Sequence, residues 1–131
     1  MHRGAVLIVE DAETCASTLE IIFSSIRGLK ILMADNAERA WELLESRHED
    51  IRALVTDLHM PGMDGFELID RVRTNNLHAT MPIVVITGST DPHISHRLRQ
   101  RGVNAVFAKP YSPALVREKL EQLLGNEMQI D

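Results

Sequence analysis

Five side chains capable of chemistry stand directly after short apolar runs in this 131-residue chain: Glu10 and Asp11, Asp57, Thr87 and Lys109. They are three carboxylates, one hydroxyl and one amine, spread over a hundred positions. If the fold gathers them on one rim, the carboxylates repel each other, so they must either hold a proton at unusually high pH or bind a cation. A donor set of oxygens without sulfur suits Mg²⁺, with Mn²⁺ as an alternative. A bound cation and the Lys109 ammonium would both offset the charge of an incoming phosphoryl group. Phosphoryl transfer rests mostly on such positioning and electrostatic stabilisation. A carboxylate in that setting can act as nucleophile and form an acyl phosphate, with the Thr87 hydroxyl bonding a phosphoryl oxygen.

The apolar runs that must position these groups are Ala5–Val9, Ile31–Ala34, Ala53–Thr56, Ile83–Ile86 and Ala105–Ala108. They are rich in β-branched residues and do not alternate with polar ones, the pattern of strands buried on both faces of a parallel sheet. Between them lie helical stretches with readable ends. Cys15, Leu19, Ile22, Phe23 and Ile26 recur at helical spacing, and Gly28 offers a stop. Asp35 with Glu38 predicts a capping box, and Asp64 with Glu67 a similar start. Asp91 before Pro92 and Ser112 before Pro113 are further helix starts. Gly102 and Gly125 are expected to end the fourth and fifth helices, and Val116, Leu120, Leu123 and Leu124 share one face of the fifth. Alternating strands and helices predict an α/β fold whose right-handed crossovers cover both sheet faces. Sites in such folds lie beyond the carboxyl ends of the strands.

Together these positions resemble the receiver domains of two-component response regulators, the CheY-like family, over roughly residues 5–124. The similarity is carried by Val9–Glu10–Asp11, by Thr56–Asp57–Leu58–His59–Met60–Pro61–Gly62–Met63–Asp64–Gly65, by Ile86–Thr87–Gly88 and by Ala108–Lys109–Pro110. The resemblance implies a flavodoxin-like, doubly wound (βα)5 sandwich with a five-stranded parallel sheet, a receiver domain over 1–125 and a short tail over 126–131. It makes Asp57 the phosphoacceptor, and Asp11, Glu10, Asp57 and the His59 backbone carbonyl the Mg²⁺ ligands. Thr87 and Lys109 would bind the phosphoryl group, and the Lys109–Pro110 bond would be cis. The implied donor is a phosphohistidine on a sensor histidine kinase or histidine phosphotransfer protein. Output would pass to a downstream protein, or to a homodimer, through the fourth-to-fifth helix face, without separate substrate turnover.

This chain departs from the family at Val106, where an aromatic residue usually stands three positions before the lysine. Phe107 is adjacent, but strand alternation should turn it to the other face. Gly88 replaces the more usual alanine. The rivals are a receiver-shaped interaction module that takes no phosphate, a small flavoprotein using Thr87–Gly88–Ser89–Thr90 as a phosphate loop, and a haloacid-dehalogenase-type phosphatase. The last wants a second Asp where His59 stands.

Composition narrows the setting. With 44% hydrophobic and 25% charged residues the chain reads as an ordinary globular domain. A net charge of -5 argues against bulk binding to nucleic acid or anionic membrane. No stretch nears the roughly 18 apolar residues of a membrane span, and Ala5–Val9 is too short for a signal peptide. Cys15, the single cysteine, is expected in the core and excludes an internal disulfide. A cytoplasmic location is the expectation. The six histidines match no zinc spacing and are expected as scattered surface residues. Arg97, Arg99 and Arg101, with His93 and His96, make the fourth helix basic, either a solvated face or a partner contact.

Overall fold

The computed structural model describes residues 4–59, 62, 64–89 and 91–128. Five strands alternate with five helices: β1 (Ala5–Val9), α1 (Glu13–Ser24), β2 (Lys30–Ala34), α2 (Ala37–Ser46), β3 (Ile51–Asp57), α3 (Gly65–Thr74), β4 (Ile83–Thr87), α4 (Pro92–Gln100), β5 (Ala105–Ala108) and α5 (Pro113–Met128). The strands form one parallel sheet in the order β2-β1-β3-β4-β5. The chain starts in the middle and winds outward in both directions, so the order reverses between β1 and β3. At that reversal the crossovers leave to opposite faces and open a crevice at the strands' carboxyl ends.

Alternation along each strand sorts side chains into two cores. Leu7 and Val9 of β1 join Leu44 of α2, Leu68, Ile69 and Val72 of α3, and Leu98 of α4 on one face. Val6 and Ile8 join Leu19 and Phe23 of α1, and Val116, Leu120 and Leu124 of α5 on the other. Both faces are covered, which is why the strands are continuous apolar runs. Val106 packs with the first core and Phe107 with the second. The expected opposition of these two side chains is therefore present.

Caps set most helix starts. Asp64 accepts from the Glu67 N–H and Asp91 from the His93 N–H, and Pro92 opens α4. The Ser112 hydroxyl accepts from Leu115 N at 3.3 Å. Gly28 and Gly102 follow α1 and α4 with φ of 80° and 70°, a region that costs glycine little.

Four local expectations are corrected. His78, expected at the surface with the other histidines, is buried. Asn36, not Asp35, caps α2: its side-chain oxygen accepts from Arg39 N at 2.8 Å, while Asp35 takes the Asn36 amide. Gly125 does not end α5, which runs on to Met128 with no positive φ at the glycine. A single glycine costs a helix only about 1 kcal/mol, which the buried face of α5 outweighs. Cys15 is half-buried rather than core, because α1 turns Ala16, Leu19 and Phe23 to the sheet.

Arg73, in the last turn of α3, ties three segments together. Its guanidinium donates to the carbonyls of Arg101, Gly102, Ala79 and Met81 at 2.8–3.2 Å. On α4 the arginines are not simply solvated. Arg97 and Arg101 lie 4.0 and 5.1 Å from the Phe66 ring, and Arg101 bonds Asp70 at 2.7 Å. Among the described residues no helix is long and apolar enough to cross a membrane.

Candidate functional site

Glu10 and Asp11 leave β1, Asp57 ends β3, Thr87 ends β4 and Lys109 follows β5. Parallel register places these ends at one edge of the sheet, with Asp57 opposite Ile86. Lys109 donates to Glu10 Oε1 at 3.0 Å and to Asp57 Oδ2 at 2.9 Å. One ammonium thus bridges two buried carboxylates drawn from residues 52 and 99 positions away. Each of Glu10, Asp11 and Asp57 has a carboxylate oxygen within 4.8 Å of the others'.

Asp57 is held on both oxygens. Its Oδ1 accepts from the backbone N–H of Leu58 at 2.6 Å and of His59 at 3.2 Å. Close packing beneath makes this turn possible. A Cβ on Gly65 would lie 2.5 Å from the Asp57 carbonyl oxygen and 2.7 Å from Leu58 Cα, and Gly65 N donates to Leu58 O at 3.0 Å. Only glycine lets α3 begin directly under the phosphoacceptor candidate's backbone.

Glu10 accepts from Ala12 N at 3.2 Å, so it steadies the start of α1, where Ala12 as N-cap has no side-chain acceptor to offer. Asp11 is exposed and free of that capping role. The Thr87 oxygen accepts from Ser89 N at 3.1 Å, which leaves its own O–H to donate.

Charge balance follows from these contacts. Burial pushes the Asp57 carboxyl up, but hydrogen bonds from Lys109 and from the His59 and Leu58 N–H groups outweigh it and hold the group below its usual range. For Glu10 burial wins over the Lys109 and Ala12 hydrogen bonds, and its carboxyl is raised, with the Asp57 charge adding to the rise. Burial pulls Lys109 down, yet its bonds to Asp57 and Glu10 leave it above the usual lysine range. Lys109 is therefore a fixed positive charge.

All six residues singled out from the sequence (Glu10, Asp11, Asp57, His59, Thr87 and Lys109) stand at this edge, His59 contributing its backbone N–H to Asp57. Met60, Pro61 and Met63 of the motif, Thr90 of the rival phosphate loop, and 129–131 of the tail lie outside the described residues. Sequence reasoning missed the backbone donors at Leu58, His59, Ala12 and Ser89. Backbone groups carry no side-chain signal; only Gly65 hinted that the turn was tightly packed. The Lys109–Pro110 peptide is cis.

Comparison with known proteins agrees with this geometry. The family described as response regulator receiver domain matches residues 6–121. A chemotaxis protein CheY homolog of Campylobacter jejuni is 32% identical over 120 residues, 92% of each chain. A solved response regulator receiver protein from Pseudomonas putida superposes with a TM-score of 0.83 at 29% identity, covering 93% of this chain and 98% of that one. The Mn²⁺-bound form of response regulator Rcp1 gives a TM-score of 0.77 over 98% of this chain and 96% of its own; at 16% identity it shows the shared fold alone.

Proposed function

This chain belongs to the response regulator receiver family, and on that premise we propose that it is a phosphorylation switch taking a phosphoryl group from a phosphohistidine onto Asp57. The observation that carries the reading is the Lys109 ammonium bridging Asp57 Oδ2 and Glu10 Oε1 beside Asp11. Backbone donors pin Oδ1. That leaves Oδ2, turned toward the ammonium, as the attacking atom. Its bond to phosphorus forms as the phosphorus–nitrogen bond breaks and the imidazole departs.

Three clustered carboxylates with only oxygen donors fit a hard divalent cation. Glu10, Asp11, Asp57 and the His59 carbonyl would hold Mg²⁺, with Mn²⁺ as an alternative. Such an ion supplies neutralisation of the phosphoryl charge. Lys109 stays charged throughout and supplies the protein's own share of that neutralisation. The Thr87 O–H, already oriented by Ser89 N, donates to a phosphoryl oxygen.

The protein is a stoichiometric acceptor rather than an enzyme with a separate substrate. Its donors are a sensor histidine kinase or a histidine phosphotransfer protein. Output passes by protein contact, or by homodimer formation, at the face from α4 to α5. Val106 is partly buried against the core on the α2–α4 side and has no ring to reorient.

Incubation with acetyl phosphate and Mg²⁺, read by intact-mass spectrometry, tests the proposal. A single base-labile phosphate adduct on the wild type that Asp57→Asn abolishes supports it. No adduct, or an equal yield in the variant, contradicts it.

A further inference from the structure

At the opposite end of the sheet from Asp57, His48 and His78 meet between the last turn of α2 and the segment joining α3 to β4. Their ring centroids are 6.5 Å apart, with planes inclined at 67°. His78 is 4% exposed, and its Nε2 lies 3.2 Å from the Leu44 carbonyl oxygen. A carbonyl only accepts, so Nε2 carries the proton and Nδ1 keeps its lone pair. His48 is arranged the other way round: Nδ1 lies 3.3 Å from the Glu45 carbonyl oxygen, which leaves Nε2 with the lone pair. Both acceptors sit in the last turn of α2, where carbonyls lack intrahelical partners.

A ring whose N–H is tied to a backbone carbonyl while its other nitrogen is free is the usual arrangement of a metal-ligating histidine. Here two such rings stand side by side. Among the described residues no fully buried side-chain N or O atom lacks a partner, and His78 Nδ1 makes no hydrogen bond. Both histidines line a pocket of about 290 Å³.

We infer that His48 Nε2 and His78 Nδ1 form a binding site for a divalent transition ion of the Zn²⁺ class, separate from the acidic cluster. Imidazole nitrogen suits Zn²⁺, Cu²⁺ and Ni²⁺ and is a poor match for Mg²⁺, so the two ends of the molecule select different metals. Zn–N bonds are about 2.0–2.1 Å, so the rings must draw together from their present centroid separation of 6.5 Å. Exposed His48 supplies that movement while buried His78 stays in place. Water completes the coordination. Glu49 and Arg52 also line the pocket with opposite charges, and Glu49 lies outside any close three-ligand group, so the imidazoles carry the affinity.

The test is a ZnCl₂ titration of the full chain in excess Mg²⁺, followed by ¹H–¹⁵N spectra of the imidazole rings. The expected result is one-to-one saturation that shifts His48 Nε2 and His78 Nδ1 and leaves His59, His93 and His96 unchanged. Loss of an outer partner alone costs metal sites 10–100-fold, so loss of a ligand in His48→Ala should weaken binding by at least about tenfold. His48 is exposed, so this variant stays folded where one at His78 would risk the core. Unchanged affinity in His48→Ala, shifts confined to other histidines, or binding only at the acidic cluster overturns the inference.

Discussion

Lys109 decides the charge balance at the scale of single residues. It stands between two carboxylates that would otherwise face each other across the end of the sheet. Lys109→Met leaves the fold's cores untouched but removes a charge-assisted contact worth about 1.5–3 kcal/mol. If that contact persists in the transition state, acetyl phosphate should modify Asp57 roughly tenfold to a hundredfold more slowly, as read by a mass-spectrometric time course. The two carboxylates respond to pH with opposite sign. Asp57 sits below its ordinary value of 3.8, so the stability it contributes is present above that pH and drains as pH falls through the folded-state value. Glu10 sits above its ordinary 4.5, so its contribution is present below that pH and is lost as pH rises. At neutral pH the ionised Glu10 is thus a liability. Glu10→Gln is expected to raise the melting midpoint in metal-free buffer, and a lowered midpoint would mean that the Lys109 and Ala12 contacts outweigh burial.

Elements were legible where one physical cause dominated. β1 and β5 coincide with their apolar runs; β1 is buried throughout, which demands an unbroken stretch, while edge strand β5 is only partly buried. β3 begins at Ile51, two positions before the run, because exposed Arg52 breaks the apolar pattern where the ladder to β1 shifts register, and pairing resumes on its other side. Helix starts were readable at Asp64 and Asp91, whose side chains do cap. At α2 two adjacent capping residues compete, and spacing alone cannot choose between Asp35 and Asn36. Loss of a cap costs about 1 kcal/mol. Urea denaturation should therefore show Asn36→Ala destabilised by about that amount and Asp35→Ala by clearly less. The pairing of Arg97 and Arg101 with Phe66 was not legible, because it joins α3 and α4 across a strand and a loop.

The whole molecule places the site by topology. An outward-winding parallel sheet brings Glu10, Asp11 and Asp57 to the crevice where strand order reverses, and Lys109 reaches in from the sheet's edge strand. That much followed from the residue after each apolar run. The direct grip of backbone N–H groups on Asp57 did not, since it depends on a turn seen only once Gly65 is packed beneath it. A cation that binds the folded cluster and not the unfolded chain stabilises the fold by mass action, about 2.7 kcal/mol at a hundredfold excess over Kd. Mg²⁺ should accordingly raise the melting midpoint of the wild type, and Asp11→Asn should remove most of that rise; an equal rise in the variant would place the ion elsewhere. The central claim is that phosphate reaches one carboxylate, and borohydride trapping reads it directly. Reduction of the acyl phosphate followed by peptide mapping should find homoserine in place of Asp57 and at no other acidic residue. Homoserine at another carboxylate, or none after phosphorylation, would contradict the account.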